Sequence, residues 1–154
     1  MTDHITALRQ IVRLRERDVR YCERQARNAL LAVAQAETRA GEARQMCQQA
    51  ISLYEAAQTE RVQAPCDPHV QLHCNATATQ VDQACQMRAQ ACDLLVKAQG
   101  FAEQVRREWL RAQARYDALR AELEKAIHNL QRRRERRSER DMPLSGGRVG
   151  VALS

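Results

Sequence analysis

Residues 64–69 read APCDPH and contain two of the three prolines in this chain of 154 residues. Pro65 should end a helix, because the residue before a proline avoids the α-helical conformation. Asp67 can cap a new helix that has Pro68 in its first turn, where the missing N–H is not needed. A connection this short between two long helices makes them antiparallel neighbours.

The sequence on both sides of this break favours helix. Phe, Trp and Tyr make up only 3% of the residues, whereas Ala, Gln, Arg and Glu dominate. Positions spaced alternately by three and four residues are apolar at fifteen of seventeen steps from Ile5 to Arg61, and at sixteen of nineteen from Val70 to Arg133. A 3.5-residue period held over this length is typical of a coiled coil.

We therefore predict an all-α fold in which two long helices form an antiparallel coiled-coil hairpin. The predicted hairpin is a single domain over residues 1–140, with a helix over 3–63, a turn over 64–68 and a second helix over 68–140. Residues 141–154 contain helix breakers and little to bury, so we expect a flexible tail. The large side chains of the predicted seam are Ile5, Leu8, Val12, Val19, Val105, Trp109, Tyr116, Leu119, Leu123 and Leu130.

The net charge of +6 is concentrated towards the C-terminus. Residues 131–140 read QRRRERRSER and should continue the second helix beyond the N-terminus of the first. Three interpretations are open: a solvated helix end with cations near its C-terminus, a nucleic-acid-binding arm, or a surface that docks into an acidic site of a partner. The interspersed acids and the lack of aromatic residues weaken the nucleic-acid interpretation.

Several large apolar residues fall outside the seam. They are either partly buried beside it, or they form an exposed patch for a partner or for self-association. The candidates are Leu30, Leu31, Leu53, Met87, Leu94 and Phe101.

Six cysteines are many for a chain without a recognisable signal peptide, and we expect reduced thiols. The hairpin register places Cys47 opposite Cys85, where the alternatives are a disulfide or two small apolar side chains. Cys66, His69 and His73 are weak metal-ligand candidates, because their spacing departs from the usual zinc patterns. We expect no metal and no cofactor.

No phosphate-binding loop, dinucleotide fingerprint or nucleophile elbow occurs in the sequence. We therefore expect neither an enzyme nor a small-molecule substrate. No apolar run has the length of a membrane span, so we expect no direct membrane insertion.

The layout resembles a known family. A basic start, RLRERDVRYCERQA at residues 13–26, leads into an Ala/Gln-rich helix, a short turn and a longer helix that ends in an arginine cluster. This arrangement resembles the central stalk proteins of type III secretion systems, the YscO/FliJ-like (SctO) family. The similarity covers about residues 5–140, whereas the cysteines and the Cys/His-rich turn depart from the family pattern.

The resemblance implies a cytoplasmic protein at the base of a bacterial secretion apparatus that serves virulence. Its terminal end would dock in the ring of the secretion ATPase and promote assembly and turnover, and another part would meet the export gate protein or export chaperones. The implied gate or chaperone contacts are the off-seam residues named above. The implied ATPase-docking residues are Arg13, Arg15, Arg17, Arg20, Arg132, Arg133, Arg134, Arg136 and Arg137. A self-associating structural coiled coil and a nucleic-acid-binding coiled coil are the alternatives.

Overall fold

The computed structural model describes residues 2–142, which form two helices. Helix α1 is Thr2–Gln63 and helix α2 is Pro68–Asp141. The described residues contain no strand, and the two helices pack together as a hairpin, so the predicted all-α helical hairpin is confirmed. We predicted helices over 3–63 and 68–140. Of the predicted tail, residues 143–154 lie outside the described residues.

Hydrogen bonds from backbone and side-chain groups close the end of α1 and the start of α2 at the turn. The backbone N–H of Ala64 donates to the carbonyl of Glu60 over 2.9 Å, so the last turn of α1 is closed just before Pro65. Asp67 accepts a hydrogen bond at Oδ1 from the backbone N–H of His69, also over 2.9 Å. This N-cap satisfies one of the free N–H groups at the start of α2. The capping role expected of Asp67 is therefore confirmed.

Contacts between the helices group the chain into two units, and each unit contains a stretch of both helices. The terminal unit comprises residues 2–19 and 112–142 of the described chain, and the turn unit comprises Arg20–Arg111. The names terminal unit and turn unit refer to these ranges.

The terminal unit has a seam of large side chains. Ile5 and Leu8 are buried. The other large seam residues of this unit are half-buried: Val12, Val19, Tyr116, Leu119, Leu123 and Leu130. All of them occupy the heptad positions that the 3.5-residue period indicates. Burial of these aliphatic and aromatic groups is the main source of stability in this unit.

The turn unit has a seam of small side chains, and several of them are nearly inaccessible to solvent. Ala57 is 0% exposed, Ala40 2% and Cys47 1%, whereas the larger seam residue Trp109 is half-buried. The small residues let the helices approach closely. The Cys74 thiol consequently reaches across and donates to the backbone carbonyl of Ala57 over 3.2 Å. Val105 is also buried in this unit.

Candidate functional site

The end of α2 carries a helical segment that lies outside the seam. Leu130 is the last half-buried residue, and every residue from 131 to 142 is exposed. The helix nevertheless continues to Asp141, roughly 16 Å further at 1.5 Å per residue. We call residues 131–141 the arginine overhang. Five of the sequence-predicted docking residues lie in it: Arg132, Arg133, Arg134, Arg136 and Arg137.

Three of the four candidate arginines near the N-terminus lie in the same unit as the overhang. Arg13, Arg15 and Arg17 are exposed and belong to the same terminal unit as the overhang. Arg15 is held by Asp18 through an ion pair of 3.2 Å, which offsets part of its charge. Arg20 belongs to the turn unit. The structure therefore gathers eight of the nine predicted arginines into one unit.

The terminal unit holds most of the protein's excess charge. Its described residues include thirteen Lys or Arg against nine Asp or Glu, a net charge of +4 out of +6 for the whole chain. The overhang carries six arginines, with Glu135 and Glu139 between them and Asp141 at its end. A helix with exposed guanidinium groups on several sides can form bidentate hydrogen bonds with carboxylates of a partner.

A second surface feature lies on one face of the turn unit. Five large apolar side chains occupy equivalent heptad positions of the two helices, next to the seam, and each is 54–56% exposed. We call them the apolar face: Met46, Leu53, Met87, Leu94 and Phe101. Met46 was missed by the sequence analysis, although it lies one heptad before Leu53 and this spacing could have indicated it.

Polar but mostly uncharged residues border the apolar face. Met46, Leu53 and Met87 line an open groove of about 510 Å³ between the helices. Gln49, Gln80 and Gln83 line the same groove, together with one cation and one anion, Arg39 and Glu42. An exposed apolar surface with an amide border is suited to binding another apolar surface, and methionine lets it adapt to different shapes.

The predicted patch does not lie on a single face. Leu30 lines a different groove, of about 390 Å³, with Val33 and Trp109. Buried in the turn unit, the indole Nε1 of Trp109 has no hydrogen-bond partner among the described residues. Leu31 is exposed and lines neither groove. The heptad position explains the separation, because Leu30 follows a seam residue directly whereas Leu53 and Met87 each precede one.

The Cys/His-rich turn does not assemble a metal site. Cys66, His69 and His73 are all exposed. Within residues 2–142, no three His, Cys, Asp or Glu side chains are grouped closely enough to hold a metal ion. The Cys74 thiol points into the seam and donates a hydrogen bond to the backbone carbonyl of Ala57. This turn supplies the Asp67 cap of α2 and an exposed polar surface.

Two further findings bear on function. Neither described helix contains a stretch that is long and apolar enough to cross a membrane. Compared with protein-family models, curated proteins and solved structures, the chain matches none of them.

Proposed function

We propose that this protein is a non-enzymatic stalk that docks through its arginine overhang into an acidic site of a partner assembly. The partner that fits the resemblance of residues 5–140 is the ATPase ring of a type III secretion apparatus. In this proposal the protein promotes ATPase assembly and turnover at the cytoplasmic base of the apparatus.

One observation carries the proposal: the second helix extends past the seam as an exposed, arginine-rich segment. A helix end that only completes a hairpin needs no such extension, since it buries no apolar surface there. Its arginines also lie in the same unit as Arg13 and Arg17, so cations of both helices are available to one partner. Carboxylates lining a ring would satisfy them, and the association would be steered by charge.

The apolar face supports a second contact in the same proposal. A partner helix could place apolar side chains against Met46, Leu53 and Met87, which is a common way for amphipathic helices to bind a groove. We assign this contact to the export gate protein or to an export chaperone. The adaptability of methionine suits a surface that binds several partners in turn.

Self-association is the second candidate function, and the apolar face favours it. In α2 the residues Met87, Leu94 and Phe101 are spaced by seven, so two antiparallel copies can pair around Leu94. The amide border carries little charge and would not repel a second copy. Sedimentation velocity discriminates the two functions, because a structural coiled coil is dimeric or larger at low micromolar concentration whereas a stalk is monomeric.

The test of the proposed function measures ATP hydrolysis by the secretion ATPase of the same organism at increasing concentrations of this protein. The five overhang arginines, Arg132, Arg133, Arg134, Arg136 and Arg137, are changed to Gln, which keeps helix propensity nearly unchanged. We expect wild type to stimulate hydrolysis. The variant should need a roughly ten- to hundredfold higher concentration for half-maximal stimulation.

A matched control removes the same charge elsewhere. Five exposed arginines of the turn unit, Arg24, Arg44, Arg61, Arg88 and Arg111, are changed to Gln. This control should stimulate like wild type. An equal loss of stimulation in both variants would mean that stimulation depends on the net charge of the protein and not on the position of the arginines. Absence of stimulation by wild type, with an ATPase shown to be competent, would reject the stalk function. Salt-sensitive binding to DNA or RNA that the overhang variant loses would favour the nucleic-acid interpretation instead.

A further inference from the structure

Two cysteine side chains meet across the helices of the turn unit. The Sγ atoms of Cys47 on α1 and Cys85 on α2 lie 3.5 Å apart, and either thiol can donate to the other. The two side chains differ in access, since Cys47 is 1% exposed whereas Cys85 is exposed on the surface. Both are free thiols in the structure.

The close approach is a property of the seam and is not confined to these two residues. Ala40 and Ala57, one on each side of Cys47 in the seam of α1, are 2% and 0% exposed. The Cys74 thiol reaches the backbone carbonyl of Ala57 within 3.2 Å. The helices are therefore close on the turn side of the cysteine pair as well. A disulfide needs its sulfurs at about 2.05 Å, so only a small further approach is required.

We propose that Cys47 and Cys85 form an oxidation site at which a hydroperoxide produces a disulfide between the two helices. The inference rests on the distance between the two sulfurs and on their unequal exposure. It is independent of any partner of this protein.

The reaction proceeds in two balanced steps. The Cys85 thiolate attacks one peroxide oxygen, the O–O bond breaks, and the departing oxygen leaves as water or an alcohol after taking a proton. Cys85 is then a sulfenic acid. The Cys47 sulfur attacks the Cys85 sulfur, the S–O bond breaks, and a water leaves with the proton of the Cys47 thiol. Two thiols lose two electrons in total, and the hydroperoxide gains them.

Exposure assigns the order of the two cysteines. Cys85 meets the peroxide first because it is accessible, and Cys47 resolves the sulfenic acid from the seam. The hydrogen bond with Cys47 raises the pKa of the Cys85 thiol, with local desolvation and Asp82 adding to this and Arg88 opposing it. The thiolate fraction is consequently small near neutral pH, so the pair stays reduced until peroxide is abundant.

The disulfide would cross-link the two helices in the turn unit, where the seam is built of small side chains. It closes a loop that runs from Cys47 through the turn to Cys85, which restricts the unfolded chain. We expect the oxidised protein to melt on the order of 10 °C higher than the reduced protein.

The test treats the reduced full-length protein with hydrogen peroxide, blocks remaining thiols and digests with trypsin. Cleavage leaves Cys47 in residues 45–61 and Cys85 in residues 62–88. We expect these two peptides to be linked, in a protein that remains a monomer in non-reducing electrophoresis, and the melting temperature to rise. Cys92→Ser is the matched control, since Cys92 lies one heptad further along α2, and it should behave like wild type.

Two further variants test the role assigned to each cysteine. Cys85→Ser changes an exposed residue, so it should fold normally, and it should give neither the linked peptides nor the rise in melting temperature. Cys47→Ser should leave Cys85 as a sulfenic acid that a dimedone reagent captures. A disulfide inside residues 62–88, a link between two protein molecules, or oxidation of Cys85 beyond sulfenic acid in wild type would overturn the proposal.

Discussion

At the residue scale, the size of a seam side chain decides how closely the helices approach. Ala57 is completely buried, and its backbone carbonyl is near enough to accept the Cys74 thiol of the other helix. A seam of this kind gains less from apolar transfer than one built of leucine, since each missing methylene forgoes about 0.8 kcal/mol. It gains dispersion contacts instead, because backbone atoms come into range.

The first prediction concerns this close contact. Ala57→Leu should lower the free energy of unfolding by about 1–3 kcal/mol, because the larger side chain has no space between the helices. Urea denaturation followed by circular dichroism measures the change. Ala56→Leu is the control, as Ala56 is exposed on the same turn, and its effect should stay within about 0.5 kcal/mol. Equal effects of the two substitutions would contradict the packing described for the seam.

The sequence alone was sufficient to predict contacts that depend only on the register of the two helices. The turn at Pro65 sets which residues are opposite, and this predicted Cys47 facing Cys85, as the structure shows. Prediction from the sequence was weaker for the apolar residues beside the seam. Leu30 was grouped with Leu53 and Met87, yet it lines a separate groove. Met46 was also missed, although it lies one heptad before Leu53, because the analysis followed the seam positions and not their neighbours.

At the element scale, both helices continue through residues that favour helix only weakly. Gly41 in α1 and Gly100 in α2 lie on exposed positions, and a Cβ at either would meet nothing within 4 Å. Neither glycine is therefore required by a close approach. Their main effect is to increase the conformational freedom of the unfolded chain.

The second prediction follows from these glycines. Gly41→Ala and Gly100→Ala should each raise the free energy of unfolding by about 0.4–1 kcal/mol, and the two effects should add because the sites share no partner. Thermal and urea denaturation of the two single variants and the double variant measure this. A loss of stability at either position would show that its surface is covered in solution.

The arginine overhang is the other feature at this scale. Residues 131–141 bury no apolar surface, so their helix depends on intrinsic helix propensity. The sequence predicted the helix this far because the segment is rich in Arg, also contains two Glu, and has neither Gly nor Pro. Whether a partner covers the segment is not encoded in these propensities, which is why three interpretations stayed open.

The third prediction concerns deletion of the overhang. Compared with a chain that ends at Met142, a chain that ends at Gln131 should lose helical ellipticity in proportion to the missing helical residues, but its free energy of unfolding should differ by less than about 0.5 kcal/mol. Denaturation of these two shortened chains provides the comparison. A marked loss of stability would mean that the segment packs against the hairpin and is not available to a partner.

At the scale of the whole molecule, the two units carry different surfaces. The terminal unit holds a net charge of +4, and the turn unit carries the apolar face. The fold class could be predicted from the sequence because the 3.5-residue period and the turn at residues 64–68 agree. The partners could not be derived in the same way, because exposed charge and exposed apolar surface specify the chemistry of a partner and not its identity.

The fourth prediction uses this difference in chemistry. Stimulation of the secretion ATPase should fall steeply when salt is raised from about 50 to about 300 mM, because screening shortens the range of the arginine contacts. Binding through the apolar face should be nearly insensitive to the same change, since it depends on apolar burial. Substituting Met87 and Leu94 with Gln should leave the salt dependence of stimulation unchanged.

Hydrogen–deuterium exchange of this protein, alone and with the secretion ATPase, distinguishes docking through the arginine overhang from docking through the turn unit. We expect fast exchange of the backbone amides of residues 131–141 in the free protein and clear protection of the same amides in the complex. Protection confined to the turn unit, with the overhang still exchanging fast, would contradict docking through the arginine-rich end.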